Sequence, residues 1–338
     1  MQEALLYKQL PHSRVRCHLC AHRCVIDKGH LGLCQVRENR GGTLYTLVYG
    51  RTISQAVDPI EKKPLYHFHP GSLAFSIATP GCNFRCAWCQ NWEISQRPRV
   101  GDLLTGLQAT PDQLAATARR QGCRSIAYTY TEPVVFFEYA RDIAVAARRE
   151  GLANIFVSNG YMTKETLDLA RDWLDAVNID LKAFRDSTYR RYVGARLQPV
   201  LDSLRRIREY GIWLEVTTLI IPGVNDDATE LKELATFIAR QLGPETPWHI
   251  SRFFPCYRMQ QTPPTSLETL QRAETIGREA GLVHIYQGNT GQDEDTVCSR
   301  CGLSLIGRRG FAVTTNRIRP DSTCPDCGAP LAGIGMAE

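Results

Sequence analysis

The sequence predicts an α/β protein: a partial (β/α)6-type barrel with small cysteine-rich, metal-binding extensions at both ends. Three observations predict it. Strand-like and helix-like segments alternate through the middle of the chain. Candidate polar residues recur at the ends of successive strand-like runs. Eleven of the 13 cysteines fall into three clusters, two of them in the flanks. The expected division is a cysteine-rich segment at 1–50, the barrel at 51–291 and a zinc-ribbon-like domain at 292–338.

Short apolar or β-branched runs at 73–79, 125–130, 154–158, 176–181, 212–221, 249–254 and 283–286 read as strands. Amphipathic stretches at 111–121, 134–150, 164–173, 199–210, 228–241 and 266–280 read as helices, the second of them after the breaker Pro133. Repeated βα units imply a parallel sheet with helices outside it. Six or seven such units can close, or nearly close, into a barrel; a doubly wound open sheet is the alternative. Cys82, Glu132, Asn159, Asp180, Asn225, Arg252 and Asn289 stand at or just after strand ends. Barrel active sites collect at that face, so the placement favours the barrel.

The chain has 338 residues, 43% hydrophobic and 22% charged, an ordinary globular profile that leaves room for one large domain with appendages. No apolar run is long enough to span a bilayer, and residues 1–16 lack the apolar stretch of a secretory signal. A cytoplasmic location, with no membrane association, is the expectation. The net charge is +5, with both signs interspersed, which predicts no nucleic-acid partner. The doublets Arg205-Arg206 and Arg308-Arg309 read as solvated surface. Without an export signal, clustered cysteines favour metals over disulfides.

The first strand-like run leads into Pro80-Gly81-Cys82-Asn83-Phe84-Arg85-Cys86-Ala87-Trp88-Cys89-Gln90-Asn91. Three thiolates on one loop can wrap one iron–sulfur cubane and leave its fourth iron open to another ligand. The Cys-x3-Cys-x2-Cys array, with an aromatic before the third Cys, resembles the radical S-adenosylmethionine (SAM) superfamily. The likeness is greatest to the activating enzymes of pyruvate formate-lyase. It implies a [4Fe-4S] cluster on Cys82, Cys86 and Cys89, SAM chelated at the open iron, and reductive cleavage of SAM to a 5′-deoxyadenosyl radical. It also implies a reducing partner such as flavodoxin or ferredoxin.

The same resemblance assigns SAM contacts. Tyr130-Thr131-Glu132-Pro133 stands where the family has Gly-Gly-Glu-Pro, and Glu132 would engage the SAM amino group. Ser158-Asn159-Gly160 resembles the family's Asp-Thr-Asn-Gly, with Val157 in place of the Asp. Asp180-Leu181-Lys182 is similar to the family's Asp-Leu-Lys, with Lys182 for the SAM carboxylate and Asp180 for ribose or a cation. Trp88 and Gln90 flank the last cluster Cys, where the family contacts adenine. His249 opens a strand near a SAM-contacting His of relatives. The segments 58–68, 90–96, 128–133 and 251–255 narrow the resemblance to the radical SAM component of the AmmeMemoRadiSam system, which implies partner proteins of that system but no reaction. Lys62-Lys63 and Tyr66-His67 could touch an anionic substrate or SAM, or could simply pack over the barrel mouth.

Cys298-x2-Cys301 and Cys324-x2-Cys327 form two knuckles around a β-rich stretch, which predicts a four-thiolate site with no open position, for zinc or, as the alternative, rubredoxin-like mononuclear iron. Cys17, Cys20, Cys24 and Cys34 could hold zinc or an auxiliary [4Fe-4S] cluster, with His18, His22 and His30 also at hand; the short Gly-containing segment outside the barrel favours zinc. Cys123 reads as a structural thiol, and Cys256, near Arg252 after a strand, as a buried thiol or one that faces the substrate. The rival functions are a glycyl-radical activase acting on a partner protein and a metal-binding adaptor in a multi-protein complex.

Overall fold

The computed structural model describes residues 2–96 and 105–337. Its centre is an eight-stranded sheet: β1 (Ser54–Pro59), β2 (Leu73–Ala78), β3 (Ser125–Tyr128), β4 (Ala153–Ser158), β5 (Ala176–Asp180), β6 (Trp213–Ile220), β7 (Trp248–Arg252) and β8 (Ile285–Gly288). The strands lie side by side in chain order. β2 to β8 are all parallel, and β1 is antiparallel to β2 along the outer edge. Between the parallel strands run α1 (Pro111–Arg120), α2 (Phe137–Arg149), α3 (Lys164–Ala170), α4 (Gln198–Glu209), α5 (Ala228–Phe237) and α6 (Leu267–Glu279). A doubly wound sheet reverses its strand order at a switch point; this one does not, so it is singly wound. Among the described residues β1 and β8 do not pair, which leaves a partial rather than a closed barrel.

Side-chain alternation explains why the sheet has two different faces. Phe75, Ile77, Ile126, Tyr128, Phe156 and Val177 belong to the large apolar core with the helices. Their neighbours on the other face are smaller. Ala74, Ala127, Ile155 and Ala176 pack with Ile60, Leu65 and Phe68 in a second cluster. The small inward residues leave room for segment 60–68, which fills the barrel interior from below.

The flanks carry small antiparallel sheets. Tyr7–Leu10, Arg14–Cys17 and Val25–Ile26 form one; Gln2–Glu3, Arg37–Arg40 and Thr43–Thr46 form another. Val15, Leu19, Val36 and Leu44 share the barrel's core. At the other end Thr296–Val297, Ser304–Arg309 and Ala312–Asn316 form a sheet over a core of their own, with Leu305, Ile306, Ile318 and Leu331.

One expectation is overturned here. Arg308 is not solvated surface: it is 1% exposed. Its Nη2 donates to the Tyr66 carbonyl at 2.9 Å and its Nη1 to Thr296 Oγ1 at 2.8 Å. Its Nε lies 3.6 Å from the Glu61 carboxylate, and the guanidinium stacks 4.2 Å from the Tyr66 ring. The doublet sits in a strand, so its two members face opposite ways, and only Arg309 is exposed. Arg205 and Arg206 are half-buried on α4, with Arg205 over the Phe237 ring.

Candidate active site

The loop after β2 carries the three central cysteines. Gly81 has φ +97°, and a Cβ there would stand 2.7 Å from Val36 Cγ1 and 3.0 Å from the Cys34 carbonyl oxygen, so only glycine fits. The loop's amides are then anchored one by one. Arg85 N donates to the Val193 carbonyl at 2.8 Å, and Ala87 N to that of Tyr192 at 2.9 Å. From the opposite side Arg258 N donates to the Ala87 carbonyl at 3.0 Å, and the Cys256 thiol to that of Cys89 at 3.5 Å. Cys89 Sγ lies 3.1 Å from Ser95 Oγ. Burial pushes the Cys82 thiol well above its ordinary pKa, with the Glu132 carboxylate adding to the shift. Cys86 is pushed up to about 12, also chiefly by burial, against the pull of Lys182. Such thiols stay neutral until a metal displaces their protons.

Glu132 follows β3 and is buried. It accepts from Ser158 Oγ at 2.8 Å, Asn159 N at 2.9 Å and Val134 N at 3.1 Å. The last of these caps the turn Pro133–Phe136, so the residue both caps and joins two strand ends. Burial raises its pKa to about 7. Asn159 donates through Nδ2 to Asn83 Oδ1 at 2.7 Å, and the same atom lies 4.0 Å from Cys82 Sγ. Gly160 has φ +70°, and a Cβ would meet Ile179 Cγ2 at 2.8 Å. Lys182 Nζ pairs with Asp180 Oδ2 at 2.9 Å. Burial pulls its pKa down most, but Asp180, Cys86 and Tyr189 together hold it above the ordinary value. Trp88 is buried, with its ring 6.2 Å from that of Tyr192, and Gln90 is exposed.

Of the residues expected at this pocket, Cys82, Glu132, Ser158, Asn159 and Gly160 form one hydrogen-bonded group, with Asp180–Lys182 alongside Cys86. His249 lies elsewhere. Its Nε2 donates to Glu215 Oε2 at 2.6 Å, and its ring stacks on Tyr286 and meets Tyr66 edge-on. Glu215 also accepts from the Tyr66 and His67 amides at 3.0 and 2.8 Å. Tyr66 and His67 therefore belong to the floor of the barrel, next to Arg308. Lys62 and Lys63 both pair with Asp58 at 2.7 Å. Asp58 also accepts from Ser76 Oγ at 2.7 Å and from the Tyr130 hydroxyl.

Sequence reasoning missed Glu215, although a lone carboxylate inside an apolar strand is itself a signal of a buried ion pair. It also missed Asn83, whose side chain and carbonyl connect the cysteine loop to both β4 and the N-terminal flank. Its carbonyl accepts from His22 Nε2 at 2.8 Å. Tyr130 has φ +63°, the backbone conformation that a glycine takes most readily, at a position where the resembled family has glycine.

The four C-terminal thiols come together. Cys298, Cys301, Cys324 and Cys327 have all their sulfurs within 4.8 Å of one another, with close pairs at 3.5 and 3.7 Å. A zinc ion bonded at about 2.3 Å to four tetrahedral sulfurs sets them about 3.8 Å apart, so the spacing suits one ion. It is the only group of this kind among the described residues.

The fold and the loop define an enzyme class built on a cysteine-bearing partial barrel, and the comparisons identify the family. The family model for the radical SAM superfamily matches residues 76–235. An uncharacterized protein of Methanocaldococcus jannaschii is 43% identical over 334 residues, covering 98% of this chain and 99% of that one. The pyruvate formate-lyase-activating enzyme of Clostridium pasteurianum is 21% identical over 164 residues, covering 47% of this chain and 66% of that one. The structure of a radical SAM methyltransferase from Sphaerobacter thermophilus has the same fold, with a TM-score of 0.52 and 19% identity over 65% of this chain and 67% of that one. The chain belongs to the radical SAM superfamily. Among the described residues no helix is long and apolar enough to cross a membrane.

Proposed function

We propose that the chain is a radical SAM enzyme: Cys82, Cys86 and Cys89 hold a [4Fe-4S] cluster, SAM is cleaved reductively, and the resulting 5′-deoxyadenosyl radical takes hydrogen from an unidentified substrate. The observation that carries this reading is the hydrogen-bonded group joining Cys82, Asn159, Ser158 and Glu132 within the matched segment. The residues fit such a cluster. Three thiols, that of Cys86 buried and those of Cys82 and Cys89 half-buried, share one anchored loop, and their sulfurs are not gathered tightly enough to count as a single-ion site. The cluster supplies one low-potential electron, and its open iron supplies a place to chelate SAM.

The chain's own residues do the rest. Ionised Glu132 accepts from the SAM ammonium, and its three backbone and hydroxyl donors fix where that charge sits. Lys182, kept cationic by Asp180, meets the SAM carboxylate. Ser158, Asn159 and Gly160 present hydroxyl, amide and close backbone to the ribose side. Trp88 and Gln90 flank the adenine. His249 is kept as a SAM contact only through rearrangement of the floor, where Glu215 holds it. The C-terminal cysteines take structural zinc, the electron donor is of the flavodoxin or ferredoxin class, and AmmeMemoRadiSam-system proteins are the candidate partners. The divisions 1–50, 51–291 and 292–338 serve as the working domain plan.

The test is anaerobic. Protein reconstituted with iron and sulfide is mixed with dithionite and SAM, and 5′-deoxyadenosine and methionine are quantified. Product that disappears in Cys86→Ala supports the reading. An intact cluster that yields no product, with or without candidate partners, supports the adaptor instead. Likeness to the pyruvate formate-lyase-activating enzyme favours one narrower alternative, an activase, which would place a glycyl radical, visible by electron paramagnetic resonance, on a partner protein.

A further inference from the structure

The structure assigns a second [4Fe-4S] cluster to the N-terminal cysteines, separate from the one proposed for the barrel loop. Cys17, Cys20, Cys24 and Cys34 line a single chamber, together with His22, Arg37 and Asn83. Two features separate it from a zinc site. The first is spacing. The C-terminal quartet draws its sulfurs within 4.8 Å of one another, as one ion requires, and the N-terminal quartet does not form such a group. Nor do the barrel cysteines form one. The second is a set of donors without acceptors. Arg37 is 2% exposed; its Nη2 donates to Glu138 at 2.5 Å, yet its Nε and Nη1 have no partner among the described residues. Asn83 Nδ2, equally buried, has none either.

Buried donors are costly to leave unpaired. In a chamber walled by four thiols they call for acceptors in the space between. Inorganic sulfides and cysteinyl sulfurs of a cubane are such acceptors, and the Arg37 charge offsets the anionic cluster. One ring nitrogen of each nearby histidine is already bonded. His22 Nε2 is bonded to the Asn83 carbonyl, His18 Nδ1 to Arg23 and His30 Nδ1 to the Lys28 carbonyl. Cys17, Cys20, Cys24 and Cys34 are the four ligands the assignment uses. Asn83, the residue after Cys82, is the wall between this chamber and the barrel loop, which places the second cluster beside the first.

The assignment is tested in Cys82→Ala/Cys86→Ala/Cys89→Ala, which keeps every N-terminal ligand. After anaerobic reconstitution this variant is expected to retain about four iron and about four sulfide per chain, half the wild-type content. Adding Cys20→Ala and Cys34→Ala removes them. In wild-type protein, SAM is expected to change the paramagnetic signal of one reduced cluster and leave the other, with four thiolates, unchanged. A barrel-cysteine variant free of labile sulfide, with two zinc ions per chain, overturns the assignment. So does a wild type that holds only one cluster. Neither result depends on whether SAM is cleaved.

Discussion

Glu132 decides when the pocket is anionic. Burial raises its pKa from the ordinary 4.5 to about 7, against the donors from Asn159, Ser158 and Val134 that pull it back. A carboxyl raised in this way prefers its proton in the folded chain, so the ionised form that pairs with an ammonium fills only as pH climbs through that value. SAM affinity of the reconstituted protein is therefore expected to rise with pH and flatten above about 7, by up to about tenfold per unit below it. Glu132→Gln should bind weakly and with a flat profile. Calorimetric titration across that range checks both, and a flat wild-type profile would remove Glu132 from the ammonium site. Tyr130 is a second residue-scale case. Its positive φ is costly for a side chain with Cβ, and the hydroxyl bond to the buried Asp58 carboxylate offsets that cost. Tyr130→Phe should lower stability to urea by about 1.5–3 kcal/mol, the range for a hydrogen bond to a charged group.

At the scale of elements, the βα alternation was readable because the central parallel strands are buried on both faces and each helix on one. Boundaries were less so. The run at 283–286 was expected as a strand, yet β8 begins at Ile285, because Val283 N bonds the Pro244 carbonyl rather than a ladder partner. The helix expected at 164–173 ends at Ala170, where Trp173 N turns back to the Ala170 carbonyl. The motif residues at strand ends were legible because chemistry restricts them to few side-chain types. The floor was not legible, since Glu215, His249, Tyr66 and Arg308 meet only through the long-range packing of segment 60–68. Two substitutions separate the roles at this floor. Glu215→Gln breaks a buried pair and removes a strong acceptor for two amides, so it should cost about 3–5 kcal/mol while leaving SAM affinity of the surviving fold unchanged. His249→Ala that retained stability but lost SAM binding would instead restore the contact expected from the sequence.

Across the whole molecule, the C-terminal thiolate site and the barrel are mechanically joined. A metal held by Cys298, Cys301, Cys324 and Cys327 would close them over a small core, and that core holds the strand that delivers Arg308 to Tyr66 and Glu61. His67 Nδ1 adds a bond to the Ala332 carbonyl at 2.7 Å, and the Ile334 amide donates to the His67 carbonyl at 2.9 Å. A core this small depends on its metal for much of its stability. With the proposed zinc bound there, Cys301→Ser should release one zinc per chain and open residues 292–337 to protease. It should also unseat Arg308, leaving Glu61 as a buried carboxylate without its nearest cation. Burial already holds the Glu61 pKa above its ordinary value, and Arg308 is what lowers it. Loss of that cation favours the protonated form and weakens the floor most at neutral pH, where a buried anion would otherwise be required. The barrel should then unfold earlier at neutral than at mildly acidic pH, relative to wild type, as followed by circular dichroism. If zinc loss exposes the tail to protease but leaves barrel unfolding unchanged, the module is carried by the barrel without supporting it, and its sheet is free to serve a partner.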